Sequence, residues 1–473
     1  MKKFLVVFVV LAMVCVGSMA FAADGVDVSV GGSVQIRSRD FVNLRFNNGD
    51  PTQTYSDTQE RVELDVNVKA GDDVRGKIAL WNDFQDWGTL EQQQGVGFGN
   101  TTSSSSTGEH FGFREAWLSF NMPGIPVNVT AGHQLLALGQ GWFLRNKHFG
   151  DDAWVVANVT GPNTAAFVNI KAQKNTAAEA DSGIDAYAIL DVFKVDDNNT
   201  VGFDLAYVDA RTSSVAPYPV ITSGGFYQFA NIAGSQLYNL GLNYTGKLGP
   251  LNLKAEADLQ AGRLTPFGAA ETPKFRGNQI VLQGNMPMDP VTFEFTLARG
   301  SGNKDIASAG HTNPNLDEMV TFLDIDPHYT FLYEYKTITA AGVRNTGFSN
   351  TTAASIGASA NVTKSVNVGL DIWALWATEK STAPLALSTG GTEEANYAGT
   401  EVDLAVNWKL YNNLTWNWQL GYYKPGSAMR APGVTTAAAT AGTIVGYGGA
   451  ASGSVGGSLD PVTGIQGVLS LNF

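Results

Sequence analysis

Between Arg61 and Lys69 the chain is polar at every odd position and aliphatic at every even one. Successive side chains of a strand face opposite sides, so this segment has one apolar and one charged surface. Residues 251–260 repeat the scheme, setting Asn252, Lys254, Glu256, Asp258 and Gln260 against Leu251, Leu253, Ala255, Ala257 and Leu259. Residues 401–410 place Glu401, Asp403, Asn407 and Lys409 opposite Val402, Leu404, Val406, Trp408 and Leu410. At the end of the chain Ile465, Gly467, Leu469, Leu471 and Phe473 share one parity, and Gln466, Val468, Ser470 and Asn472 the other. Each run is about ten residues long, enough for a tilted strand to cross a bilayer, where an ordinary strand has ~5–6.

A soluble sandwich also alternates, so other features must decide. Charged residues make up 15% of the chain against ~25% in typical globular domains, with 53 glycines and 11% aromatics. After the N-terminal segment no apolar run is long enough for a membrane helix. Trp376, Trp408, Trp416, Trp418, Tyr238, Tyr244 and Tyr422 sit near the ends of apolar faces, where interfacial girdles lie in membrane barrels.

Short turns near 70–73, 122–126, 161–163, 194–199, 246–250, 286–290, 363–365 and 411–413 alternate with long Gly/Ser/Thr/Asn-rich stretches. The long stretches lie near 40–60, 82–112, 134–153, 172–184, 209–236, 261–276, 300–350, 377–400 and 424–461. The expectation is an all-β, transmembrane, antiparallel up-and-down β-barrel of about eighteen strands. Short turns then face the periplasm with both termini, and the long loops are extracellular. Residues 318–324 and 329–337 would make twenty strands if they formed a further hairpin; an external loop keeps eighteen. The 101–107 tract is a low-complexity loop tip.

Residues 1–22 read as a secretory signal peptide: Lys2 and Lys3, an apolar run from Phe4 to Val16, and the small-x-small Ala20-Phe21-Ala22. Residues 23–473 then form the barrel. Cys15, the only cysteine, leaves with the signal. The segment holds two of the 30 basic and none of the 43 acidic residues, leaving 28 against 43, a net charge of −15. That balance argues against nucleic acid as a partner. The expected partners are outer-membrane lipid, small hydrophilic solutes or ions, and the outer-membrane assembly machinery through the strand ending at Phe473.

Residues 132–139, Gly-His-Gln-Leu-Leu-Ala-Leu-Gly, followed by Phe149-Gly150-Asp151-Asp152-Ala153-Trp154, resemble the Gly-Arg-Gln … Tyr-Gly-Asp … Trp segment of alginate-export-type outer-membrane porins. Gly399, Glu401 and Asp403, with Tyr411, Asn413 and Gly421-Tyr422-Tyr423-Lys424-Pro425-Gly426, are similar to that family's C-terminal hairpin. The resemblance implies an eighteen-stranded monomeric barrel and a channel role. His133 stands where the family has Arg. A strongly acidic chain is also a poor conduit for a polyuronate, so the alginate substrate is not carried over.

Lumen-facing ionisable residues set channel selectivity. By parity these are Arg37, Arg39, Arg61, Glu63, Asp65, Lys69, Arg75, Lys77, Glu115, Lys254, Glu256, Asp258, Glu294, Asp371, Glu401, Asp403 and Lys409. The loop 134–152, with Arg145, Lys147, His148, Asp151 and Asp152, is the leading constriction, a basic patch opposite an acidic wall. His110, His133, His148, His311 and His328 fall in no catalytic spacing, so no catalytic residue is assigned. His148 with Asp151 and Asp152, or His328 with Asp324 and Asp326, offers oxygen ligands, but EF-hand and zinc spacings are absent. No metal or cofactor is assigned. The chain reads as a water-filled porin with mild cation preference. A barrel plugged by its loops, serving a structural or adhesive surface, is the alternative, ahead of a barrel hydrolase.

Overall fold

The computed structural model describes residues 25–43, 54–87, 112–174, 183–211, 220–221, 227–228, 234–264, 274–302, 315–324, 326–334, 347–381, 395–427 and 460–473. The signal segment, the 101–107 tract, His110 and His311 lie outside them.

The wall begins with β1 (Val26–Val42), β2 (Tyr55–Ala70), β3 (Val74–Asp86), β4 (Gly112–Asn121), β5 (Val127–Ala137) and β6 (Leu144–Thr160). It continues through β7 (Asn163–Lys174), β8 (Gly183–Lys194) and β9 (Thr200–Ala210). A detached two-residue pair follows, β10 (Val220–Ile221) with β11 (Tyr227–Gln228). The wall resumes with β12 (Ser235–Leu248), β13 (Leu251–Arg263), β14 (Asn278–Met288) and β15 (Val291–Gly300). The short β16 (Phe322–Leu323) pairs in parallel with Leu144 and Arg145 of β6. β17 (Thr351–Asn361), β18 (Val366–Ser381), β19 (Ala395–Tyr411), β20 (Leu414–Pro425) and β21 (Val462–Asn472) complete the wall.

All wall neighbours are antiparallel, and β21 pairs back onto β1 from Ser33↔Asn472 to Val42↔Thr463. Eighteen strands therefore close into a barrel, β10, β11 and β16 standing outside the count. Closure leaves no sheet edge unpaired, the condition for a sheet to sit in hydrocarbon. Phe473 extends the last ladder, its N–H and C=O pairing with Gly32 at 3.1 and 3.0 Å.

Eight short turns, 71–73, 122–126, 161–162, 195–199, 249–250, 289–290, 362–365 and 412–413, gather at one rim. The outer face is apolar: Ile78, Leu118, Leu242, Leu259, Ile280 and Ile356 are all exposed. Aromatic rows bound it. Near the turn rim Trp408, Trp416 and Trp418 stand 6.4 and 5.1 Å apart. Toward the loop rim Phe167, Tyr187, Tyr207 and Tyr238 follow at 6.4, 6.3 and 4.8 Å.

The bore changes character along its length. Toward the turn rim it is amide-lined, with Asn121–Asn128, Asn252–Asn285 and Asn361–Asn367 hydrogen-bonded across strands at 2.8 to 3.1 Å. Toward the loop rim two apolar clusters occupy it, which the expectation of a wholly hydrated interior did not include. One sets Val168, Ile170, Ile184, Ala186 and Val208 of the wall against Leu138, Phe143, Leu316 and Met319. The other joins Phe41, Trp373, Tyr423 and Val462 to Trp142, Phe331, Leu332 and Phe348. Residues 318–324 and 329–334 are thus no barrel hairpin, as the eighteen-strand count requires. They are not external either: they fold into the bore, because their apolar side chains find cover only against the inner wall.

Residues 134–152 also differ from the expected loop. β5 and β6 run through nearly all of it, and only 138–143 connects them. The pairing jumps from Gln134↔Asp151 to Leu136↔Asn146, so β6 carries a wide bulge at 147–150. Such a bulge breaks alternation while keeping the strand, and gives the stretch a loop-like sequence.

Candidate functional site

An ion-paired wall and a carboxyl-rich wall line different arcs of the bore. On β1 to β4 a basic column rises. Arg37 and Arg39 lie directly across from Gln59 and Asp57, and Arg39 meets the Asp57 carboxylate at 2.5 Å. Arg61 pairs with Asp83 at 2.6 Å, Arg114 with Glu63 at 2.8 Å, and Lys77 with Glu115 at 2.6 Å and Asp65 at 3.5 Å. Two rings hold the guanidiniums apart. Phe84 lies 3.3 Å from Arg37 Cζ and 3.8 Å from Arg61 Cζ, and Trp81 lies 4.8 and 5.3 Å from those of Arg61 and Arg114. Cation–π attraction and cross-strand pairing together fix the column. Arg37 differs in that its wall partner is an amide, Gln59 Oε1 at 3.1 Å.

Around the rest of the wall, β9, β13, β15, β18 and β19 turn Asp204, Glu256, Asp258, Glu294, Asp371, Glu401 and Asp403 inward. Some of these carboxyls hold backbone. Glu256 accepts the N–H groups of Gln140 and Trp142, the latter at 3.1 Å, and thereby seats 138–143. Glu401, fully buried, accepts those of Leu332 and Tyr333 at 2.5 and 2.8 Å. Asp403 receives Phe331 N–H at 3.4 Å, and Asp258 receives Asn239 and Gln279, each at 2.8 Å.

Between β15 and β17, the described residues 315–324 and 326–334 span the gap. At one end Asp324 accepts Lys147 N–H at 3.0 Å, and Asp326 meets His148 Nδ1 at 2.9 Å. His148 Nε2 reaches Asp83 of the ion-paired wall at 2.8 Å. At the other end Leu332 and Tyr333 sit on Glu401. Trp142, Phe348 and Tyr329 stack between, with centroids 4.7 and 4.3 Å apart. The inner wall makes room through Gly421 and Gly464. A Cβ on Gly464 would lie 2.5 Å from Phe41 and 2.7 Å from Leu332, and one on Gly421 2.7 Å from Phe331. His328, buried in the crossing segment, contacts Asp324 at 3.2 Å and Glu334 at 3.3 Å. Burial disfavours its charged form, but hydrogen bonds to the two carboxylates outweigh that and lift its pKa to about 9. Burial likewise opposes ionisation of Asp324, yet the hydrogen bond to His328 holds its carboxyl below the usual range.

The remaining expected residues take varied positions. Glu294, Lys254 and Lys409 face the open bore; Lys69 and Arg75 stand at the turn rim, Lys69 bonded to Asp72 at 2.9 Å. Arg145 packs its chain on Gly141, and Lys147 is exposed. Asp151 lines a small cavity with Phe149, Ile170 and Phe322. Asp152 departs from the expectation: it shares the outward parity of exposed Trp154 and bonds His133 at 2.8 Å. The Gly-His-Gln and Asp-Asp segments therefore meet as a clasp between β5 and β6, completed by Gln134 on Ala153 O at 3.1 Å. His148 pairs with Asp83 and Asp326 rather than Asp151 and Asp152, and no metal-binding group of three or more ligands occurs among the described residues.

Parity reading missed Arg114, Asp83 and the crossing segment. The register shift between Ala79 and Leu80 turns Arg114 inward, and alternation cannot register a bulge, whereas Asp83 keeps the inward parity of Ala79 and Trp81. Asp57 and Asp204 continue the inward parities of their strands and were open to the same reading.

A closed eighteen-strand barrel crossed inside by a loop is the architecture of outer-membrane porins. Solved structures of that kind resemble it over nearly the whole chain. Pseudomonas aeruginosa OccK9 (OpdG) is 10% identical, with a TM-score of 0.55, covering 94% of this chain and 98% of its own. Acinetobacter baumannii OccAB2 is 10% identical at 0.53, with the same coverages. A BenF-like porin from Pseudomonas fluorescens Pf-5 is 7% identical at 0.52, again covering 94% and 98%. At these identities the likeness is one of fold. No family model matches the sequence, and no curated protein matches it significantly.

Proposed function

We propose that the protein is an outer-membrane porin: a water-filled barrel through which small hydrophilic solutes or ions diffuse passively. The observation that carries the reading is the segment 326–334, held inside the bore from His148 on one wall to Glu401 on the other. Such a strap narrows the path to the space beside the β1–β4 column, where polar solutes pass a ladder of ion pairs. The amide-lined stretch toward the turn rim keeps the rest of the route wet.

Acidic groups outnumber basic ones along the inner wall, and this supports a mild cation preference. Reversal potentials in planar bilayers under a KCl gradient test it, and a clear anion preference contradicts it. The motif likeness to alginate-export-type porins adds a shared strand number and no solute. Residues 1–22 act as the export signal, and the β21 face ending at Phe473 is offered to the assembly machinery. Phe473→Ala then lowers the amount of folded barrel in the membrane without changing the conductance of what inserts.

The two apolar clusters favour a second reading, a barrel closed by its own loops with a structural or adhesive surface. A plugged barrel gives no ohmic step in a bilayer; a porin does.

A further inference from the structure

The outer wall carries a charge pattern that the channel does not use. Along the loop rim of β7 to β15, Lys171, Arg211, Arg263, Lys274, Arg276 and Arg299 share the outward parity of exposed apolar neighbours. Phe167 leads by two residues to Asn169 and by four to Lys171, and Tyr207 to Asp209 and Arg211. Tyr238 lies across from Ala261, whose next outward neighbour is Arg263, and Arg263 bridges Lys274. With ~3.4 Å of rise per residue, the basic row therefore sits about 7–14 Å beyond the aromatic row along the strands.

Two acids interrupt the row. Asp185 binds Lys171 at 2.7 Å and also Arg211, whose Nε lies 4.0 Å from Asp209. Among the described residues no carboxylate lies within 4.0 Å of Arg263, Lys274, Arg276 or Arg299; Arg299 bonds the Asn278 amide at 3.4 Å. The rim of β1 and β2 has the opposite character, with Asp40 and Glu60 turned outward. A chain with formal net charge −13 has thus gathered six cations on one outer arc. Outward Lys and Arg are expensive at mid-bilayer and nearly free at its interface, so the row marks the headgroup level above the aromatic belt.

We infer that this arc binds phosphate groups of an acylated, phosphorylated glycolipid in the outer leaflet, its chains lying on the aromatic and aliphatic wall below. The inference rests on the outer-membrane reading. Several cations on neighbouring strand positions suit a headgroup with more than one phosphate, and the ring row beneath suits its sugar–acyl junction.

The test uses full-length protein reconstituted in phosphatidylcholine vesicles containing a bisphosphorylated, acylated glucosamine disaccharide. Retention of that glycolipid through purification is measured for wild type and for Arg263→Gln/Lys274→Gln/Arg276→Gln. A loss of at least about tenfold is expected, given what each cation near an anionic surface contributes. Asp40→Asn/Glu60→Gln on the opposite arc of the same rim should leave retention unchanged. Equal retention by the triple variant, equal retention of the dephosphorylated glycolipid, or elution by inorganic phosphate alone would overturn the inference. If the triple variant does not fold, Arg276→Gln alone, expected to lose severalfold, decides. Channel conductance is recorded on the same samples: a conducting barrel without glycolipid selectivity refutes this site alone, whereas loss of conductance in wild type refutes the porin reading.

Discussion

His328 ties the crossing segment to itself through Asp324 and Glu334, and Glu401 pins one end of it to the wall. The pKa of His328 is raised to about 9 in the fold, so its contribution is complete below the ordinary histidine value of ~6.5 and disappears as pH rises through about 9. Asp324 is held low, so its contribution is present above its ordinary value of ~3.9 and fails as pH falls below it. Open-channel noise should therefore be least between those limits and rise above pH 9, and His328→Gln should reduce the alkaline rise. An unchanged alkaline limb in that variant would show that His328 does not hold the segment. Glu401→Ala leaves Leu332 and Tyr333 N–H without their acceptor, at about 1–3 kcal/mol each. The undocked fraction should grow about fivefold or more, read as higher single-channel conductance with unaltered heat-modifiable migration. At this scale the sequence was partly legible. The inward parity of Glu401 followed from its alternation with Val402 and Leu404, but its backbone partners lie nearly seventy residues away, in a segment without period.

At the scale of elements, the wall strands were legible because lipid on one side and bore on the other impose a strict two-residue period. β2, β13 and β19 carry it almost unbroken. β6 does not: its bulge at 147–150 turns His148 inward against the parity of Asp152 and Trp154, so the stretch read as a loop. The crossing segment was the least legible element, since its apolar residues are spaced to fit the inner faces of several different strands. Its seat gives a direct test. Gly464→Leu overfills the space taken by Leu332 and Phe41, and overpacking of this kind costs ~1–3 kcal/mol. The substitution should loosen the segment and widen the conductance distribution while the β1–β21 pairing persists. An unchanged distribution would mean that residues 331–333 do not rest on β21.

For the whole molecule, closure organises everything else. Alternation sets the two faces, the β21–β1 ladder removes the sheet edges, and the enclosed space is then partly filled by loops that bring their own apolar cover. Export follows the same logic: the mature protein should begin at Ala23, which intact-mass measurement of membrane-extracted protein checks, and a retained N-terminal segment would contradict it. The central claim is that a conducting path survives beside the crossing segment. Single-channel recording of the purified, folded wild-type protein in a planar bilayer tests it most directly. The account predicts discrete, steady steps whose current is linear in voltage; folded and inserted protein that passes no current would contradict it.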